Sequence, residues 1–166
     1  MPQLLTSLFF AIAFGSSVAP AAAGDLVDIK RMSAELAGEI ARRAVLACRD
    51  DGYQVSAVVV DRNGSPQAML RDVYASRFTI QIAEEKANAV ILSGIPSGEF
   101  RRNRDDIRTE MNHVDGILVL DGAEPIRAVG SLVGAVGVSG APGGDKDAVC
   151  AKAAVDAVQE RLDLAF

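Results

Sequence analysis

Between residues 130 and 140 this chain places four glycines, at 130, 134, 137 and 140, inside a run otherwise made of valine, alanine, leucine and serine. Glycine costs a strand backbone entropy and leaves no side chain to pack. It therefore marks a bulge, a bend, or a place where something comes against the backbone. Gly137 and Gly140 are positions where a flat apolar ligand, or a neighbouring subunit, can lie against the strand. A Gly-rich exit then leads to Asp145 and Asp147, carboxylates at the start of an Ala-rich helix, where the macrodipole favours them.

The rest of the chain supplies partners for that strand. Ser33 can cap a helix running to about Asp50, with Ala37, Ala41, Ala44 and Cys48 on one small-residue stripe. Gly52 stops it. The β-branched run from Val55 to Asp61 predicts a buried strand, Asn63-Gly64 a hairpin turn, and Pro66 to Arg71 the returning strand. Ala75 to Leu92 reads as a central helix ended by Ser93-Gly94-Ile95-Pro96. Residues 97–108 read as a short helix or an irregular segment. Two short strands, Gly116 to Leu120 and Ile126 to Val129, precede the last strand, Leu132 to Ser139, and a closing helix from Asp145 to about Leu164. Strands joined by hairpins and covered by helices predict an α/β (α+β) domain on an antiparallel sheet.

The N-terminal 23 residues carry no charged side chain, and Leu4 to Val18 is mostly apolar. Ala21-Ala22-Ala23 offers small residues for cleavage before Gly24, so residues 1–23 read as a signal peptide and 24–166 as a single domain in the periplasm or secreted. The alternative, a membrane anchor, is disfavoured: the apolar run is shorter than the roughly 20 residues a span needs, and Pro20 breaks it. The net charge of −5 leaves no basic footprint for nucleic acid. The run Arg101-Arg102-Asn103-Arg104 is answered at once by Asp105-Asp106 and reads as a solvated helix face. Familiar enzyme signatures are missing. There is no Gly-Lys pair for a phosphate-binding loop, and the glycines at 134, 137 and 140 have the wrong spacing for a dinucleotide fingerprint. Gly137-Val138-Ser139-Gly140-Ala141 approaches a nucleophile elbow but ends in alanine.

Several segments together resemble the GlcG/HbpS family of haem-binding-type domains. They are the Gly-patterned strand with its Asp145-Lys146-Asp147 exit, Val58-Val59-Val60-Asp61-Arg62-Asn63-Gly64, Leu70-Arg71-Asp72, and Ser76 followed by Ala83-Glu84-Glu85-Lys86-Ala87. The likeness runs from about Ser33 to about Leu164. It implies a profilin-like antiparallel sheet of about five strands. The first and last helices would flank one face and the middle helix the other. It also implies a homo-oligomer, an expectation that the flat, small-residue surfaces of the Ala-rich helices and Gly-rich strand share. With the signal peptide and the missing enzyme motifs, it points to a binding module rather than an enzyme: an exported haem- or tetrapyrrole-binding protein serving storage, sensing or detoxification. The alternatives are an accessory protein or enzyme acting on a small organic acid, and a structural subunit active only through its assembly.

The residues offer three candidate sites. Arg71, at a strand end, and Lys86, on the following helix, can face one crevice and hold a carboxylate or a haem propionate, with Tyr74 lining the pocket. The alternative is a structural ion-pair set with Asp61, Asp72 or Glu85. His113, the only histidine, and Met111 are candidate axial ligands for haem iron, and His113 is the candidate metal ligand. The alternative there is a loop histidine with no ligand role. Cys48 and Cys150 form the third pair. No C-x-x-C exists, and an even cysteine count in an exported chain invites a disulfide. In a profilin-like order the first and last strands are antiparallel neighbours. That order brings the end of the first helix beside the start of the last and favours a Cys48–Cys150 bond over two separately buried thiols.

Overall fold

The computed structural model describes residues 29–165; the segment read above as a signal peptide, residues 1–23, lies outside them. The elements run α1 (Ala34–Asp50), β1 (Ser56–Asp61), β2 (Pro66–Arg71), α2 (Phe78–Ser93), α3 (Ser97–Asn103), α4 (Arg108–Met111), β3 (Ala123–Ala128), β4 (Ser131–Ser139) and α5 (Gly144–Asp163). The sheet has the order β2-β1-β4-β3, every neighbour antiparallel. β1 and β4, first and last in the chain, form its centre.

Local chemistry explains the boundaries. The Ser33 hydroxyl accepts the Leu36 N–H at 3.2 Å and starts α1. Asp61 Oδ1 accepts the N–H groups of Asn63 and Ser65, pinning the β1–β2 turn. Gly94, in the left-handed region at φ 74°, closes α2 by donating to the Val90 carbonyl.

Side chains alternate across the sheet with the period of a strand. Val58, Val60, Ala123 and Ala135 point to Ala83, Ala87 and Val90 of α2. Ala57, Val59, Ile126, Val136 and Val138 point to the opposite face, where α1 and α5 lie. The molecule is thus three layers, with α1 and α5 on one side and α2 on the other. The alanine stripe of α1 (Ala37, Ala41, Ala44) is buried in the same core as Cys150, Ala151 and Ala154 of α5. Those small-residue surfaces are therefore used inside the monomer and are not free for a second copy.

The fifth strand is corrected: among the described residues the sheet has four. The segment expected as a strand at Gly116 to Leu120 pairs with no strand. Leu118 N–H donates to the Glu85 carbonyl of α2, and Val119 N–H to Asn112 Oδ1. The segment crosses α2 and buries Val119 with Ala89 and Phe100. Its apolar alternation is real, but what it buries against is a helix.

Candidate functional site

The expected Arg71–Lys86 crevice is taken apart by the fold. Lys86 is 1% exposed, in the interior face of α2. Its ammonium donates to Asp147 Oδ2 at 2.9 Å and to the Val138 carbonyl at 3.0 Å. Asp147, in the first turn of α5, accepts the Ala141 N–H on its other oxygen. Burial pushes the Asp147 carboxyl above the usual carboxylate range, against the attraction of Lys86. The pair braces α2 to α5 across the end of β4. Arg71 instead donates to the Ala75 carbonyl at 2.5 Å and closes the turn after β2. Its neighbour Asp72 is buried and held by two of the three guanidinium nitrogens of Arg49, at 2.8 and 3.0 Å, which draw its carboxyl below the usual range.

Tyr74 is 86% exposed and lines no cleft with Lys86. The close approaches at Gly137 and Gly140 are made by the chain itself. A Cβ on Gly137 would overlap the Ala83 carbonyl oxygen of α2, and one on Gly140 would lie 2.7 Å from the Gln54 carbonyl oxygen. The first glycine lets a helix sit on β4, and the second lets the strand exit pass the start of β1. Neither presents backbone to a ligand.

Met111 and His113 are close in sequence but open onto different hollows. Met111 lines a cleft of about 490 Å³ formed by the end of α2, the following loop, α3 and α4, with Leu92, Ile95, Phe100 and Ile107 as its apolar wall. Arg104, paired with Asp106 at 3.0 and 3.2 Å, stands at the same cleft. His113 lines a separate groove of about 400 Å³ with Arg101 and Arg108. Among the described residues, no group of three or more His, Cys, Asp or Glu side chains is arranged to hold a metal ion, so His113 has no such set around it.

Cys48, near the end of α1, and Cys150, in the second turn of α5, are joined in a disulfide with Cα atoms 5.3 Å apart. Glu124 was not singled out by the sequence. It sits half-buried on β3, where burial pushes its carboxyl up to about 7, with Asp156 and Glu99 adding repulsion and Lys152 opposing. The apolar wall of the Met111 cleft was also missed. Phe100 and Ile107 stand in a stretch dominated by charged residues, and no local period marks them. Asp147 was read only as a helix-start carboxylate, since nothing near it in sequence shows a partner 61 residues away.

A family model described as haem degrading protein HbpS-like matches residues 32–156. Among solved structures, a double-mutant form of Streptomyces reticuli HbpS is 35% identical, with a TM-score of 0.76, and the match covers 86% of this chain and 98% of that one. Klebsiella pneumoniae protein ORFY is 20% identical with a TM-score of 0.76, covering 84% of this chain and 98% of that one. PduOC, solved as a haem complex, is 20% identical with a TM-score of 0.67, covering 77% and 95%. The last two are likenesses of fold. No curated protein sequence matches this chain.

Proposed function

We propose, for a chain that belongs to the HbpS-like family, that it is an exported protein that binds haem or a closely related tetrapyrrole in the Met111 cleft. The observation that carries this reading is the cleft itself. Its volume of about 490 Å³ falls in the range of small-molecule sites, its wall is apolar, and it holds one soft sulfur donor and one guanidinium. Haem has a flat apolar ring, an iron that one axial side chain can hold, and two propionates. Leu92, Ile95, Phe100 and Ile107 suit the ring, Met111 suits the iron, and Arg104 suits a propionate once it leaves Asp106. Bound haem would supply redox-active iron; the protein side chains bind and orient it.

PduOC, a relative in fold, was solved with haem, and the HbpS-like family is described by haem degradation. Both support the ligand class. The apolar N-terminal run ending in Ala21-Ala22-Ala23 and the disulfide support export to an oxidising compartment, since such bonds persist there. Mass spectrometry of periplasmic or secreted protein should find a chain starting at Gly24; retention of Met1 in the exported protein would remove that part of the reading.

Haemin titration tests the ligand. A saturable Soret band is expected, shifted or lost in Met111→Ala and retained in His113→Ala. Absence of the band in the parent overturns haem binding. An unchanged band in Met111→Ala removes Met111 as the iron ligand.

A further inference from the structure

We propose that the groove holding His113 is a binding site for a small, doubly charged oxyanion, separate from the Met111 cleft. α4 lies between the two hollows, giving Met111 to one and Arg108 and Thr109 to the other. The groove measures about 400 Å³ and is open to solvent, with Thr109, Asn112 and His113 exposed. Every polar side chain that lines it can donate a hydrogen bond, and none is a carboxylate. In a protein of net charge −5 the lining brings two guanidiniums together, each with one carboxylate partner outside it.

The donors are held in place but not used up. Arg101 reaches Asp121 at 3.4 Å, a long contact that it shares with Arg102 at 4.0 Å. Arg108 reaches Asp105 at 3.3 Å. Both carboxylates lie outside the groove lining, and each pairing leaves most of the five guanidinium N–H groups free to turn to another anion. Asn112 accepts the Val119 N–H on Oδ1 at 2.8 Å, which fixes the orientation of its amide and leaves its NH2 group as a donor at the groove. The Thr109 hydroxyl and the His113 ring complete the polar rim, while Val119 and Leu120 give an apolar wall. Two guanidiniums with amide, hydroxyl and imidazole donors match a dianion of carboxylate or phosphate type. A compact carbon chain would lie against Val119 and Leu120.

This proposal does not depend on haem binding, and its test uses no haem. His113 is the only histidine, so its imidazole resonances in a proton–carbon NMR spectrum report on the groove alone. Succinate and inorganic phosphate are titrated separately into the purified protein, with sodium chloride at matched ionic strength as the control. Saturable shifts of the His113 signals with at least one dianion, and not with chloride, are expected. A response to succinate alone assigns an organic carboxylate, and a response to both assigns any small dianion. Removing each arginine is expected to weaken binding about tenfold, the usual scale for a charge-assisted hydrogen bond. The variants are Arg101→Gln with Arg108→Gln, and Arg108→Gln alone, whose surface partner makes unfolding no obstacle. Arg42→Gln, exposed on α1 and outside both hollows, should bind like the parent. The proposal is overturned by no saturable shift with either dianion, by an equal shift with chloride, or by full binding in Arg108→Gln.

Discussion

Lys86 is a charged side chain that the fold buries completely. A lysine is rarely fully buried unless paired, and here a single carboxylate and one carbonyl hold it. Removing one partner strands the other without water. Lys86→Met is expected to cost about 3–5 kcal/mol, measured by urea denaturation. Lys86→Met combined with Asp147→Leu should recover most of that loss, because no charge is then left buried. A single variant as stable as the parent would show that the pair contributes nothing. Glu124 gives a second residue-scale test. Its folded pKa of about 7 lies above the ordinary carboxylate value, so the folded state holds a proton that the unfolded chain has released. That contribution is fully present below about pH 4.3 and is lost as pH rises through about 7. With solvent screening of a half-buried group, the change is about 1 kcal/mol. Thermal melts from pH 5 to 8 should show it in the parent and not in Glu124→Gln. Equal slopes in the two proteins would refute it.

At the scale of elements, helix and strand periods were legible and the strand count was not. Ser33, Asn63-Gly64 and Gly94 act through bonds to residues two to four away, so α1, the β1–β2 hairpin and the end of α2 could be read from the sequence. Residues 116–120 carry a strand-like composition, but only the position of α2 decides where their N–H groups go. The β3–β4 hairpin shows the reverse case. It turns on Val129 and Gly130, both at positive φ, although valine is disfavoured there. The α1–α5 contact carries the disulfide, which closes a separation of 102 residues. Replacing both cysteines by alanine is expected to lower stability by about 2–4 kcal/mol, through the extra freedom of the unfolded chain. A melting temperature that does not change would sink that account.

For the whole molecule, the outer edge of the sheet at β2 remains without a strand partner among the described residues. Met69, Leu70, Val73, Tyr74 and Phe78 are exposed on β2, the turn after it and the start of α2. An open edge with apolar side chains invites pairing. The homo-oligomer expected from the sequence is tested at this face. Light scattering should return at least a dimer for the parent and a smaller species for Val73→Glu with Tyr74→Glu. A parent that runs as a monomer at micromolar concentration would remove the homo-oligomer. The site residues divide in the same way as the elements. Met111 and His113 were picked by side-chain chemistry, which sequence displays. That α4 sends one to an apolar cleft and the other to a cationic groove required the packing of α2, α3 and α4.

Sequence alone determined what depends on near neighbours: the caps and turns, the apolar periods, the places where glycine must replace a side chain, and an antiparallel sheet with helices around it. It marked Gly137 as a place for a bulge, a bend or a close approach; only the fold shows that α2 lies against it. Tertiary structure decided everything that depends on distant pairs. It sent Lys86 inward to Asp147, not outward beside Arg71, and among the described residues it left four strands in the sheet where five were expected. The physical reason is the range of the forces. Propensity and capping act within about one turn of chain, whereas the cost of a buried charge or an unpaired N–H is settled only by what the fold brings from far along the chain.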